Sequence, residues 1–178
     1  MGTIAEAGLT IRVVPPAAAD YEALASLVNE AYTVYPIMQG PRTDAAMVRE
    51  EGAGTGEFLV AEAAGKLAGC GLVKPSLDVD WSYAEGISGA AADAMYFGLA
   101  AVGLEFMRIG IGRALLQRAE EMASERGFRR VVLTTLAELG LVGYYEAQGY
   151  TTTGTRAFEP GHWNIDVAHT LHCMEKQL

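Results

Sequence analysis

Gly110 and Gly112 stand where an uncharged run ends and a helical pattern begins, and Arg108 and Arg113 flank them. These residue types at this spacing suit anion binding. The first turn of a helix has N–H groups with no partner inside the helix, and the aligned peptide dipoles put roughly half a positive charge there. Glycines let the backbone come close to a phosphate, and the two arginines add cationic charge to a chain of net charge −9. Paired glycines have other uses as well. The glycines can simply open a helix. A dinucleotide fingerprint, G-x-G-x-x-G, would need a third glycine where Leu115 stands, and a longer run of βα units. A nucleotide P-loop would need Gly-Lys-Ser/Thr, which is absent.

The remaining chemistry-bearing types do not converge. Cys70 and Cys173 are far apart and form no C-x-x-C, so neither a disulfide scaffold nor a multi-thiolate zinc site is expected. The histidines are His162, His169 and His172; on a strand, His169 and Cys173 share one face and His172 takes the other, so no metal site is expected. Twenty-two acidic against 13 basic side chains argue against nucleic acid and against an anionic membrane surface. No window approaches the ~20 apolar residues of a membrane span. The first nine residues lack the basic start of a signal peptide. The expectation is a reduced, cytoplasmic protein, and 178 residues fit one domain.

Several elements must position the glycine pair. Residues 1–8 read as a loose tail and residues 9–178 as one domain. Leu9–Val14 reads as a strand stopped by Pro15-Pro16. Asp20 is a candidate N-cap for a helix in which Leu24, Ala25, Val28 and Ala31 recur at helical spacing, and Asp44–Glu51 forms a second, short helix. Phe58–Glu62 and Leu67–Val73 form a hairpin turning at Ala64-Gly65. Residues 76–92 form an irregular loop long enough to suspect function. Ala94–Val102 carries no charge and reads as a strand buried on both faces. Gly110–Arg126 is an amphipathic helix ending at Gly127. Val131–Thr135 is a strand, Leu139–Ala147 a short helix, and Tyr150–Phe158 and Ile165–Lys176 the last two strands. The order βαα-ββ-β-α-β-α-ββ predicts an α/β or α+β sheet with helices packed on it.

The stretch Met107-Arg108-Ile109-Gly110-Ile111-Gly112 resembles the pyrophosphate loop of the GNAT superfamily of N-acetyltransferases, Q/R-x-x-G-x-G/A followed by a helix. Val102-Gly103-Leu104 resembles the V-x-P that precedes that loop. Tyr145-Glu146-Ala147-Gln148-Gly149-Tyr150 resembles the family's Y-E-x-x-G-F/Y. Three positions depart from the pattern: Met107 replaces Gln/Arg, Leu104 replaces Pro, and Glu138 replaces a cofactor-contacting Asn. The resemblance covers residues 9–178. It implies a mixed, mostly antiparallel seven-stranded sheet with helices on both faces, whose strands Ala94–Val102 and Val131–Thr135 splay apart. It also implies acetyl-CoA as co-substrate, its pantetheine arm in that gap. The contacts implied are Val102, Gly103, Leu104, Arg108, Ile109, Gly110, Ile111, Gly112, Arg113 and Glu138. The activity implied is acetyl transfer to the amine of a small molecule or protein, by direct attack through a tetrahedral intermediate. The N–H near Val102 would face the oxyanion, and Tyr145 would be the acid for the departing thiolate. A second reading, a non-catalytic acyl-CoA-binding protein, takes its support from the three departures, and packing against Tyr144 and Tyr150 is the other role open to Tyr145.

No general base is assigned; Glu62, Glu85, Glu105 and Glu138 are the carboxylates considered. For the acceptor, the expectation is a cationic or polar amine entering between the first helical region and the 76–92 loop. Tyr32 and Tyr35 would form one wall and Trp81, Tyr83 and Glu85 the other, because aromatic faces favour ammonium groups and Asp78 and Asp80 add acid nearby. The alternative is that the acids are merely solvated and Trp81 pins the loop. The acceptor itself is not readable, and a homodimer stays open.

Overall fold

The computed structural model describes residues 8–178; all of the expected tail but Gly8 lies outside them. A seven-stranded sheet forms the centre, in the order β1-β2-β3-β4-β5-β7-β6. The strands are β1 (Thr10–Val14), β2 (Glu57–Ala63), β3 (Lys66–Pro75), β4 (Ala94–Val102), β5 (Arg130–Leu136), β6 (Thr151–Phe158) and β7 (His169–Gln177). All neighbouring pairs are antiparallel except β4 and β5. The helices are α1 (Tyr21–Tyr32), α2 (Ala45–Glu51), α3 (Ile111–Glu125) and α4 (Val142–Ala147).

Local chemistry starts these elements. The Asp20 carboxylate accepts the Ala23 N–H at 3.0 Å, and Asp44 accepts that of Met47 at 2.8 Å, so each caps its helix. The hairpin turns at Ala64 and Gly65, both at positive φ, the geometry that matches strand twist.

Alternation along β2 divides the core. Leu59, Ala61 and Ala63 pack with Ile111, Leu115, Ala119 and Met122 of α3; Phe58 and Val60 pack with Leu24, Leu27 and Val28 of α1. Helices therefore cover both faces of the sheet. A third cluster, Ala84, Leu136, Phe158, Ile165 and Leu171, gathers under the segment after β3.

Two expectations need correction. The last strand begins at His169, not at Ile165, because residues His162–Asn164 form a 3₁₀ turn in which Trp163 and Asn164 both have positive φ. And β4 is not buried on both faces throughout: Gly98, Leu99 and Ala100 are only half-buried. Their lack of charge reflects a cleft wall rather than a core. Among the described residues no helix is long and apolar enough to cross a membrane.

Candidate active site

The glycine segment is built as an open helix end. After β4 the chain is tied back by the Gly103 N–H, which donates to the Ala68 carbonyl at 2.9 Å. N–H groups alternate sides along an extended strand, so that of Val102 points to the opposite edge, toward β5. A short 3₁₀ turn follows at Leu104–Phe106, and then Arg108 and Gly110, both at positive φ. The first bond of α3 runs from Ala114 N–H to the Gly110 carbonyl at 3.0 Å. The N–H groups of Ile111, Gly112 and Arg113 thus have no partner inside the helix. A Cβ added at Gly112 would lie 3.6 Å from Val102 Cγ2 and 3.8 Å from the Tyr144 hydroxyl. These are ordinary contacts, so the surrounding protein tolerates a side chain there. Glycine keeps clear the space beside the free N–H groups. Arg108 and Arg113 are exposed, while Ile111 is buried as an anchor in the core.

Beyond this loop the sheet opens. β4 and β5 pair only at Ala94–Arg130, Met95–Val131 and Tyr96–Val132, then diverge. On its other side β4 carries a bulge, where Leu99 and Ala100 stand opposite Gly71 and Leu99 takes φ 49°. Tyr96 lies flat along its own strand: a Cβ at Gly98 would meet the Tyr96 ring at 2.4 Å, so only glycine fits. A cleft of about 610 Å³ occupies the divergence. Gly98–Ala100 of β4 and Thr134–Leu136 of β5 form its walls, and Tyr145 also lines it. Tyr145 is buried, packed edge-on against Tyr144 and Tyr150 at centroid distances of 5.2 and 5.9 Å. Burial raises its phenol pKa, with smaller like-sign contributions from Tyr32, Tyr144 and Tyr35, so it stays protonated at neutral pH.

The far part of the cleft is polar. Tyr32, Arg42, Glu51, Lys74, Tyr83 and Trp163 contribute to it. The Tyr83 hydroxyl lies 3.4 Å from Thr134 Oγ1. Burial raises the pKa of Tyr83 and, more strongly, of Tyr96, so both remain neutral hydroxyls.

An acetyltransferase (GNAT) family model matches residues 21–150 of this chain. The chain belongs to that family. The fold is similar to that of the ribosomal-protein-S18-alanine N-acetyltransferase from Escherichia coli (TM-score 0.71, 18% identity, 95% of this chain and 93% of that one). It is also similar to a GCN5-related N-acetyltransferase from Kribbella flavida (0.66, 23%, 96% and 98%) and to the IAA acetyltransferase from Bacillus cereus (0.61, 15%, 96% and 99%). No curated protein matches the sequence.

Within this acetyltransferase fold, several expected residues fall into two groups. Val102, Gly112 and Tyr144 face one another at the start of α3, and Tyr145, Tyr32 and Tyr83 line the cleft. Others do not. Glu138 turns away: both its carboxylate oxygens accept the Thr170 N–H at 3.1 Å, which ties it to β7. Leu104 is exposed, and Tyr35 stands against the Tyr32 ring at 5.6 Å without lining the cleft. Trp81 also lies outside the cleft lining. Its indole N–H donates to the Ser76 carbonyl at 2.7 Å, and its ring packs on Tyr83 and Tyr96, so it pins the loop. Glu85 is exposed and outside the cleft. Of the other carboxylates considered, Glu62 pairs with Arg12 and Glu105 with Lys66 at the surface. Sequence reasoning missed Arg42, Glu51, Lys74, Tyr96, Thr134 and Trp163. One signal was available: after Lys66, Lys74 is the next charge, closing seven uncharged residues of β3 immediately before Pro75.

Proposed function

We propose that this family member is an acetyl-CoA-dependent N-acetyltransferase that moves an acetyl group to a primary amine by direct attack. The observation that carries the reading is the gap where β4 and β5 diverge beyond Tyr96, with a cleft lined by Tyr145 beside it and an open α3 helix end on the chain that leaves β4. The residues present fit the co-substrate. The free N–H groups at Ile111, Gly112 and Arg113, with Arg108 and Arg113 beside them, would hold its phosphates. The unpaired edge of β4 beyond Tyr96 would hold its amide arm as a strand would be held. Bound acetyl-CoA would supply a thioester acyl group; transfer makes an N–C bond, breaks a C–S bond and moves one proton from nitrogen to sulfur.

The chain's own groups account for the rest. The Val102 N–H, turned to the gap, can donate to charge developing on the acyl oxygen. Tyr145, kept protonated by burial, can donate a proton at the sulfur. The test is thiol release from acetyl-CoA across a panel of primary amines, beside calorimetric CoA binding. Amine-dependent release supports the transferase. Binding without release under any amine assigns the chain to acyl-CoA binding alone, a reading supported by the aromatic packing that already engages Tyr145.

A further inference from the structure

Two cations line the cleft, Lys74 from β3 and Arg42 from the loop before α2. Lys74 is only 8% exposed, and its ammonium donates one hydrogen bond, 2.9 Å long, to the main-chain carbonyl of Glu51. Arg42 is half-buried, with its guanidinium 5.9 Å from the Tyr32 ring centre. Among the described residues, no ion pair within 4.0 Å includes either. An ammonium has three N–H donors, and a buried one without a carboxylate is costly. The acids are arranged differently. Glu50, Asp78 and Asp80 are exposed at the mouth, where Asp78 engages the Thr55 hydroxyl and Asp80 the Ser82 N–H. Glu51 lies deeper. Its carboxyl is raised by burial, against the opposing pull of Arg42 and Lys74.

Resting on the transferase reading, we propose that Lys74 and Arg42 form a carboxylate subsite, and that the acceptor is a free amino acid or a similarly small amino-carboxylate. Charge placement supports a zwitterion. A carboxylate meets the two cations, while the Glu50, Asp78 and Asp80 carboxylates at the mouth suit the ammonium end. Size agrees: the cleft of about 610 Å³ must also take the acyl-bearing arm of the co-substrate, which leaves room for a small acceptor. The chain's net charge of −9 repels anions at long range, so a carboxylate needs local cations to bind.

Lys74 also has a structural role, since its bond to the Glu51 carbonyl caps the end of α2. A cap does not distinguish one acceptor from another, and the experiment uses that. Thiol release from acetyl-CoA is measured for amino acids, their amides and the corresponding decarboxylated amines, in wild type, Lys74→Met and Arg42→Gln. Wild type should favour the carboxylate-bearing members in kcat/KM by on the order of 10–100-fold, the range of a charge-assisted hydrogen bond. Lys74→Met should bring the ratio near parity, and Arg42→Gln, which leaves the buried cap intact, should cut it severalfold. KM for acetyl-CoA should hold in both. Thermal shift with amino acids alone supplies a second readout, upward in wild type and absent in Lys74→Met. Amides acetylated as well as acids, or a ratio unchanged in both variants, overturns the subsite and leaves the transferase standing. A carboxylate-specific thermal shift without thiol release from any amine keeps the subsite and removes the transferase. Neither response overturns both.

Discussion

The two halves of the proposed site are assembled in opposite ways. The half that suits the co-substrate comes from one stretch of chain: β4, the loop after it and the first turn of α3 are contiguous between Ala94 and Gly112. The half proposed for the acceptor takes Tyr32 from α1, Arg42 from a loop, Glu51 from α2, Lys74 from β3, Tyr83 from a 3₁₀ turn and Trp163 from the segment before β7. Backbone groups dominate the first half and side chains the second. A backbone cradle requires local conformation, which short motifs encode. A side-chain pocket requires the whole fold to bring distant positions together, and its specificity can change one residue at a time.

The widest test of this contrast is Tyr145, which lines the cleft. Tyr145→Phe keeps the ring that packs on Tyr144 and Tyr150 and removes the proton. kcat should fall ~10²–10⁴-fold while steady-state KM values hold. A wild-type kcat would return Tyr145 to packing alone. Next in size is Trp81→Ala. Trp81 supports the acceptor wall from behind, so the variant should lose about 2–3 kcal/mol of stability, toward the lower end for large truncations. At roughly 2–4 °C per kcal/mol for a chain of this size, calorimetry should show a clearly lowered Tm. The exposed Glu85→Gln should change stability by no more than about 0.5 kcal/mol. An equal loss in both variants would mean that the wall does not rest on Trp81.

At the co-substrate end, Gly112→Val should weaken CoA binding on the order of tenfold, about 1.4 kcal/mol, with Tm nearly unchanged, because the protein itself leaves room for the first carbon. Calorimetric titration showing wild-type affinity would remove the cradle from this position. The subtlest effect belongs to Glu51. Its folded pKa is raised from 4.5, chiefly by burial. Its protonated form therefore favours the fold below pH 4.5, and that contribution is lost as pH rises through the raised value. Glu51→Gln should then melt higher than wild type at pH 7, with the gain shrinking as pH approaches 4.5. A gain that grew with acidity would show that Arg42 and Lys74, not burial, govern this carboxyl.

Most of the framework was legible because the caps, turns and periodicities are local. Asp20 and Asp44 announced α1 and α2, and Ala64-Gly65 announced the hairpin. The glycine pair was readable for the same reason. The bulge at Leu99 was not, since it depends on which residues of β3 lie opposite. At Trp81 and Glu85 the choice between cleft wall and loop support was not legible, because composition shows that a loop is aromatic and acidic but not which way each side chain turns. Lys74 was overlooked because a lysine is ordinarily a solvated surface residue, and only the fold buries this one.

The short pairing of β4 with β5 has a mechanical consequence. Three rungs join two leaves of the sheet like the spine of a book. Arg130 sits at the bound end of that spine, clasping Asp93 just before one leaf and Glu175 on the other, while the Asp93 carbonyl takes the N–H groups of Arg129 and Arg130. The reinforcement is gathered where the leaves meet, and the opposite margin is left unlaced. A molecule sliding into the open margin disrupts no ladder bond between β4 and β5, since none was formed there. The interruption that looks like the sheet's weakest line is therefore its cheapest doorway.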